Sequence, residues 1–129
     1  MSEARRALVL LDSIAHVDAG CAGQVVVSGS HGGTSAAGFV LAQERPPLAC
    51  FFNDAGVGKE GAGVAGLALL QPRGTVAATY SHDSARIGDA ADGAASGIIT
   101  HLNAAATAAG LAEGMRVADA VAALGASAS

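Results

Sequence analysis

The sequence contains no tryptophan, one tyrosine and three phenylalanines, so aromatic residues make up only 3% of the chain. Proteins that bind single-stranded nucleic acid use aromatic stacking platforms and a basic groove, whereas this chain has a formal net charge of −4. The scarcity of aromatic residues and the negative net charge both disfavour nucleic acid as a partner. Because aromatic residues are scarce, the core is built mainly from alanine, valine, leucine and isoleucine.

Long apolar runs are missing as well, since none approaches the roughly 18 residues that a membrane span needs. The first apolar run, residues 7–11, is too short for the hydrophobic region of a signal peptide and ends at Asp12. The only two cysteines, Cys21 and Cys50, show no metal-type spacing and are expected to be free thiols. These observations predict a cytoplasmic protein that does not associate with membranes.

Small hydrophobic residues are plentiful by contrast. Hydrophobic residues make up 51% of the 129 residues, which excludes an intrinsically disordered chain. The length predicts a single domain over residues 1–129. A small chain with so few bulky side chains has little apolar area to bury by itself, so we expect a homo-oligomer that shares apolar surface.

Four apolar runs indicate four strands, at residues 7–11, 24–28, 48–52 and 75–80. None alternates strictly between apolar and polar residues, which is typical of parallel strands buried on both faces. Helical patterns at residues 34–44 and 60–71 separate the later runs, and each stops at proline. The connection 12–23 fits either two short helical turns or a hairpin-like excursion.

The last third of the chain predicts two helices. An alanine-rich segment indicates a long helix over residues 94–109, and Val117, Val121 and Leu124 form one apolar stripe of a final helix over residues 115–124. Strands alternating with helices and followed by two helices predict an α/β fold. We expect three layers, with helices on both faces of a mostly parallel sheet of about four strands, and a chain that ends in two helices.

Polar segments, all but the first of which contain glycine, follow the predicted strands, whereas the connections at the other edge carry few reactive side chains. The segments are Asp-Ser at 12–13, SGSHGGT at 28–34, NDAGVGKE at 53–60 and SHDSARIGD at 81–89. In open α/β sheets ligands bind outside the carboxyl ends of the strands. This pattern therefore predicts a functional cleft at that edge, with tight, solvated turns as the alternative.

The last three of these segments contribute candidate residues. His31 and His82 are candidates for proton transfer, with Asp54, Asp83 or Asp89 to orient them. Ser30 and Ser84 are candidate nucleophiles if a histidine lies within hydrogen-bond reach. The predicted substrate-binding residues are Gly32 and Gly33, whose N–H groups would stabilise an oxyanion, together with Asn53, Lys59, Arg86 and Asp89.

These residues predict a small enzyme, a hydrolase or lyase, that acts on a carboxylated or phosphorylated small molecule. The alternatives are a non-catalytic module that binds an anionic ligand, and a structural subunit with a vestigial cleft. The sequence assigns no cofactor, although His31, Asp54, His82 and Asp83 are residue types that also bind metals. Arg86 could instead pair with Asp89 or Asp92. His16 and His101 lie in helical patterns and are expected to be structural or surface residues.

Two segments are similar to short motifs of known families. Residues 53–70 resemble the strand-loop-helix near the start of hydrogenase maturation endopeptidases, in which an acidic residue precedes a Gly-Val-Gly element, but they cover under a sixth of the chain. Residues 29–33, GSHGG, resemble the GHGGN turn of creatininase-type amidohydrolases without its asparagine or its flanking metal ligands. Neither similarity transfers residue roles, and no family is assigned from the sequence.

Overall fold

The computed structural model of the protein describes residues 6–127 and contains one six-stranded sheet. The strand order is β5-β4-β3-β2-β1-β6, and every neighbouring pair is parallel except β4 and β5. The strands are β1 (Arg6–Leu11), β2 (Val25–His31), β3 (Ala49–Asn53), β4 (Val76–Tyr80), β5 (Ile99–Leu102) and β6 (Ala126–Ser127). The four apolar runs thus form β1 to β4, and the prediction of an α/β fold with a mostly parallel sheet is confirmed.

Five α-helices accompany the sheet within the described residues. They are α1 (Thr34–Leu41), α2 (Gly66–Leu70), α3 (Ala90–Ser96), α4 (Ala104–Ala108) and α5 (Val117–Ala123). The connection between β1 and β2 contains two 3₁₀ turns, Ile14–His16 and Ala19–Cys21, whose N-termini are capped by the side chains of Ser13 and Asp18. No helix in this part of the chain is both long enough and apolar enough to cross a lipid bilayer.

The prediction of a long helix over residues 94–109 is wrong, because strand β5 interrupts this segment. At Gly97 an added Cβ would lie 2.5 Å from Gly93 O and 3.0 Å from Tyr80 Cβ, so only glycine fits where α3 ends. The β-branched residues that follow favour an extended backbone over a helix. Asn103 then starts α4 by accepting a hydrogen bond from Ala106 N at 2.9 Å.

The expectation that the chain ends in two helices also needs correction. The final helix is present as α5, but Ala126 continues into β6 and pairs with Arg6 of β1 in parallel register. Gly125 makes this return possible, since it ends α5 with a φ of 80°, a left-handed conformation that glycine adopts without strain. The sheet therefore has two strands that the sequence did not reveal.

Alternate residues of the central strands belong to two hydrophobic clusters. One cluster combines Val25, Val27 and Phe51 with residues of α5, and the other combines Val26 and Phe52 with residues of α1 and α2. Successive strand residues point to opposite faces of a sheet. The clusters therefore form separate cores on its two faces, with helices packed on each. The expected free thiols, Cys21 and Cys50, are both buried, and burial raises the pKa of the Cys50 thiol.

Two glycines hold α2 unusually close to the strand ends. The N–H of Gly66 donates to Gly32 O at 2.8 Å, and an added Cβ on Gly66 would collide with the carbonyl oxygen of Gly33. An added Cβ on Gly63 would likewise collide with Asp54 O. This close packing fixes the turns that follow β2 and β3, which carry much of the candidate site.

Candidate active site

Because β1 to β4 are parallel, their carboxyl ends share one edge of the sheet, and the segment 81–89 runs along that edge from β4 back to β1. Hydrogen bonds tie this segment to the end of each neighbouring strand. They are His82 N to Asp54 Oδ1 (3.0 Å), Asn53 Nδ2 to Ala85 O (3.1 Å), Gly88 N to Gly29 O (2.7 Å) and, just beyond the segment, Ala90 N to Asp12 Oδ1 (2.9 Å). The predicted polar segments are therefore joined at one edge.

Asp54 and His82 form the central pair of this edge. The Asp54 residue is only 4% exposed, and its Oδ1 accepts from Gly56 N at 2.8 Å and from His82 N at 3.0 Å. Oδ1 also lies 3.3 Å from Nδ1 of the His82 ring. Oδ2 accepts from the Thr100 hydroxyl at 3.0 Å. A buried carboxylate with four such contacts fixes both the backbone and the ring of His82.

Asp54 is held in its ionised form. Burial acts to raise the pKa of its carboxyl group, but the hydrogen bonds from Gly56, His82 and Thr100 outweigh that effect and lower the pKa below its ordinary value of 3.8. At neutral pH Asp54 is therefore an anion that can only accept hydrogen bonds. Such a partner places the ring hydrogen of neutral His82 on Nδ1 and leaves a lone pair on Nε2.

The Nε2 side of His82 faces accessible space. The side chain is 50% exposed, and Nε2 lies 3.3 Å from Oδ1 of Asp83, whose own side chain is 86% exposed. When His82 is protonated, both ring N–H groups have a carboxylate acceptor. When it is neutral, the exposed Asp83 side chain is free to rotate away. His82 can thus exchange a proton with a molecule bound at this edge.

The loop after Asp54 has an unusual backbone next to the His82 ring. Ala55, Val57 and Glu60 have φ angles of 52°, 70° and 57°, and three glycines between residues 56 and 61 also have positive φ. Each such non-glycine residue carries strain on the order of 1–3 kcal/mol, and the β-branched Val57 is the rarest case. An added Cβ on Gly56 would lie 3.4 Å from Cε1 of His82. Gly56, which lies between the strained residues Ala55 and Val57, is therefore close to the ring of the central pair.

The segments that follow Asp54 and His82 along the chain carry further hydrogen-bond donors and positive charges. The N–H groups of Gly58, Lys59 and Glu60 donate to no acceptor within the described residues. The side chains of Lys59 and Arg86 form no ion pair there either. The alternative in which Arg86 pairs with Asp89 or Asp92 is therefore not formed. Both carboxylates bind backbone instead: Asp89 accepts from Asp92 N at 3.0 Å, and Asp92 Oδ2 accepts from Arg86 N at 2.7 Å.

The two glycines predicted to form an oxyanion hole use their N–H groups inside the fold. Gly32 N donates to Asn53 O at 3.1 Å, and Gly33 N donates to Nδ1 of His31 at 3.1 Å. The exposed His31 also lines a separate groove of about 300 Å³ with Phe39 and Ile87. Asn53 itself is fully buried and has a structural position, with its side chain bonded to backbone at both ends.

The candidate serine nucleophiles also bond to backbone. The Ser84 hydroxyl donates to Ser81 O at 2.8 Å and accepts from Ile98 N at 2.9 Å. Ser30 Oγ accepts from Ile14 N at 3.0 Å. Between residues 6 and 127 no serine hydroxyl is hydrogen-bonded to a histidine ring, which is the contact that activates a serine nucleophile. Neither Ser30 nor Ser84 is therefore placed as an activated nucleophile.

Thr100 and His101 are site residues that the sequence did not predict. Thr100 contacts Asp54 directly, and His101 Nδ1 lies 3.1 Å from Thr100 Oγ1. The helical placement predicted for His101 is wrong, since it lies in β5, where its ring belongs to a hydrogen-bonded network. The sequence feature that indicates this strand is the β-branched run at residues 98–100 within the alanine-rich segment.

Metal-binding clusters are not formed in residues 6–127, where no three His, Cys, Asp or Glu side chains come together as a metal site requires. The alternative that joined His31 to Asp54, His82 and Asp83 is thus not assembled. Comparisons with protein-family models, curated proteins and solved structures gave no match for this chain, so its own geometry carries the functional argument.

Proposed function

We propose that this protein is an enzyme, a hydrolase or lyase, in which His82 paired with Asp54 transfers a proton to or from a small carboxylated or phosphorylated substrate. The observation that carries this proposal is the buried, ionised Asp54 within 3.3 Å of a half-exposed histidine ring. A buried partner of this kind fixes a histidine's orientation and stabilises its protonated form.

The proposed mechanism uses His82 as a general base. Nε2 takes a proton from a water molecule in hydrolysis, or from a carbon next to a carbonyl group in elimination. Asp54 then stabilises the imidazolium through Nδ1–H, and Nε2 returns its proton to the leaving group. The free N–H groups of residues 58–60 and the side chains of Lys59 and Arg86 bind the negative charge of the substrate.

The first experiment measures turnover of p-nitrophenyl phosphate and of a mono-p-nitrophenyl ester of a dicarboxylic acid. We expect His82→Ala to lower kcat by about 100-fold or more, because the general base is lost. His16→Ala, which removes an exposed histidine of the β1–β2 connection, serves as the matched control. A His82→Ala variant that keeps wild-type turnover would overturn the proposal. Anion binding without turnover, unchanged by His82→Ala, would favour the non-catalytic binding module.

A second experiment tests the role of Arg86 in binding charge. Because its guanidinium group has no ion-pair partner within the described residues, Arg86→Ala should raise KM by about tenfold, equivalent to one charge-assisted hydrogen bond. The free energy of unfolding should change by less than about 0.5 kcal/mol. Arg45→Ala is the control, since this exposed arginine lies in the α1–β3 connection. Equal KM values for both variants would remove Arg86 from the site.

We also propose that the protein is a cytoplasmic homo-oligomer. Four large hydrophobic side chains are 44–51% exposed, namely Leu10, Phe39, Leu69 and Ile87. Burial of such side chains between subunits would compensate for a core that contains few aromatic residues. The two free, buried thiols suit a reducing compartment. Light scattering coupled to size-exclusion chromatography tests the oligomer, and a mass of 12.4 kDa would rule it out.

A further inference from the structure

Strand β5 carries two residues that connect the His82–Asp54 pair to a second histidine. Thr100 Oγ1 lies 3.0 Å from Asp54 Oδ2 and 3.1 Å from Nδ1 of His101. The Thr79 hydroxyl of β4 completes the network, at 3.0 Å from Thr100 Oγ1 and 3.3 Å from His101 Nδ1. A continuous series of polar contacts therefore runs from the half-exposed His82 to His101 in β5, the strand that pairs antiparallel with β4.

The negative charge on Asp54 sets the direction of these hydrogen bonds. A carboxylate only accepts, so Thr100 gives its single hydroxyl hydrogen to Oδ2. The Thr100 oxygen then accepts from the Thr79 hydroxyl, which is nearer to it than to His101. Nδ1 of His101 consequently faces two hydroxyl oxygens whose hydrogens point elsewhere. It must carry a hydrogen itself to avoid opposing their lone pairs.

We propose that Thr100 and His101 are positioning residues of the His82–Asp54 pair, with His101 held as its Nδ1–H form; their catalytic relevance rests on the function proposed above. Three donors converge on Oδ1 of Asp54, whereas Thr100 is the partner of Oδ2. Thr100 thus decides the rotation of the carboxylate and how much of its charge remains to stabilise protonated His82. His101 supports Thr100 by donating to its oxygen.

Thr100 links the two histidines through hydrogen bonds. The ionisable groups in contact with the His82 ring are Asp54 and Asp83, and His101 acts through Thr100. Without the Thr100 hydroxyl, Oδ2 of Asp54 loses this donor and the carboxylate is freer to rotate. The contact between Asp54 Oδ1 and His82 Nδ1 should then weaken.

The test records the imidazole ¹H–¹⁵N signals of the intact protein at one fixed pH, which needs no substrate. We expect the wild-type spectrum to show His101 as the Nδ1–H form, which is uncommon for a free histidine, and a downfield Nδ1–H signal of His82 from its contact with Asp54. Thr100→Val, which keeps the shape of the side chain, should shift the His82 Nδ1–H signal upfield or broaden it beyond detection. Thr100→Ser should restore the wild-type signal, and His101→Leu should shift it in the same direction as Thr100→Val. His16→Asn, remote in sequence from the network, should leave the His82 signal unchanged.

A His101 ring in the Nε2–H form, or an unchanged His82 Nδ1–H signal in Thr100→Val, would overturn the inference. If Thr100→Val does not fold, as judged by circular dichroism, the His101→Leu spectrum decides the question. The experiments distinguish failure of this inference from failure of the proposed function. A His82 signal that responds to Thr100→Val in a protein without turnover would keep the network and remove the enzyme. Turnover that depends on His82, with a His82 signal that does not respond, would keep the enzyme and remove the network.

Discussion

Replacement of Asp54 by alanine should destabilise the protein by about 3 kcal/mol, because several hydrogen-bond donors lose one shared acceptor. The variant leaves the N–H groups of Gly56 and His82 and the hydroxyl of Thr100 without the carboxylate that they all contact. These donors belong to three different parts of the chain, so their loss loosens the carboxyl edge as a whole. Urea denaturation monitored by circular dichroism measures the change.

The variant Asp54→Asn removes the negative charge of residue 54 but keeps the shape of its side chain. The amide oxygen can still accept at the Oδ1 position, so we expect a loss of only about 1 kcal/mol of stability. Turnover should nevertheless fall about as far as in His82→Ala, because a neutral amide does not stabilise protonated His82. An alanine variant with the wild-type urea midpoint would show that Asp54 does not organise this edge.

Asp54 should also make the free energy of unfolding depend on pH in the acid range. The pKa of Asp54 is lower in the folded protein than in the unfolded chain, whose carboxyl titrates near 3.8. The unfolded state therefore binds more protons, and the stabilisation is fully present above that pH and is lost as the pH falls through the folded pKa. The difference in unfolding free energy between the wild type and Asp54→Asn should consequently shrink as the pH is lowered from 6 to 3.

Three of the four strands that could be predicted from the sequence, β2 to β4, consist mainly of buried residues, whereas β1 is exposed or half-buried and was recognised by its apolar run alone. Val25, Val26 and Val27 are all fully buried, so this part of β2 reads as an unbroken apolar run. Strand β5 contains Thr100 and His101 and is only partly buried, and its extended form depends on pairing with β4. Local composition gives no information on such pairing. The alanines on either side of β5 made the whole segment resemble a helix.

The candidate site was predictable as a location but less so as a set of contacts. Chain direction alone brings the polar segments to one edge of a parallel sheet. The partner of each side chain depends instead on the path of residues 81–89, which places His82 against Asp54, 28 positions earlier in the chain. That path also turns Ser84 toward backbone groups. Residue type suggested a nucleophile, but the local turn determined its hydrogen bonds.

Two helical glycines that the sequence does not distinguish should respond in opposite directions to substitution by alanine. Gly66 lies in α2, where an added methyl group would collide with the carbonyl oxygen of Gly33, whereas Gly38 lies in α1 with no atom within 4 Å of the same position. Gly66→Ala should destabilise the protein by about 3 kcal/mol, because backbone atoms cannot move aside as a flexible side chain would. Gly38→Ala should stabilise it by about 0.5–1 kcal/mol through its higher helix propensity.

The same pair of variants tests whether α2 packing supports the site. Gly66 N–H holds Gly32 O, and Gly32 N–H in turn donates to Asn53 O, the residue before Asp54. A methyl group at Gly66 must separate these backbones, so Gly66→Ala should lower kcat at temperatures where the variant is still fully folded. Gly38→Ala has no such connection and should keep wild-type kcat. Equal stability of the two variants would mean that α2 has room to move, and close helix packing would then not be what holds Asp54 in place.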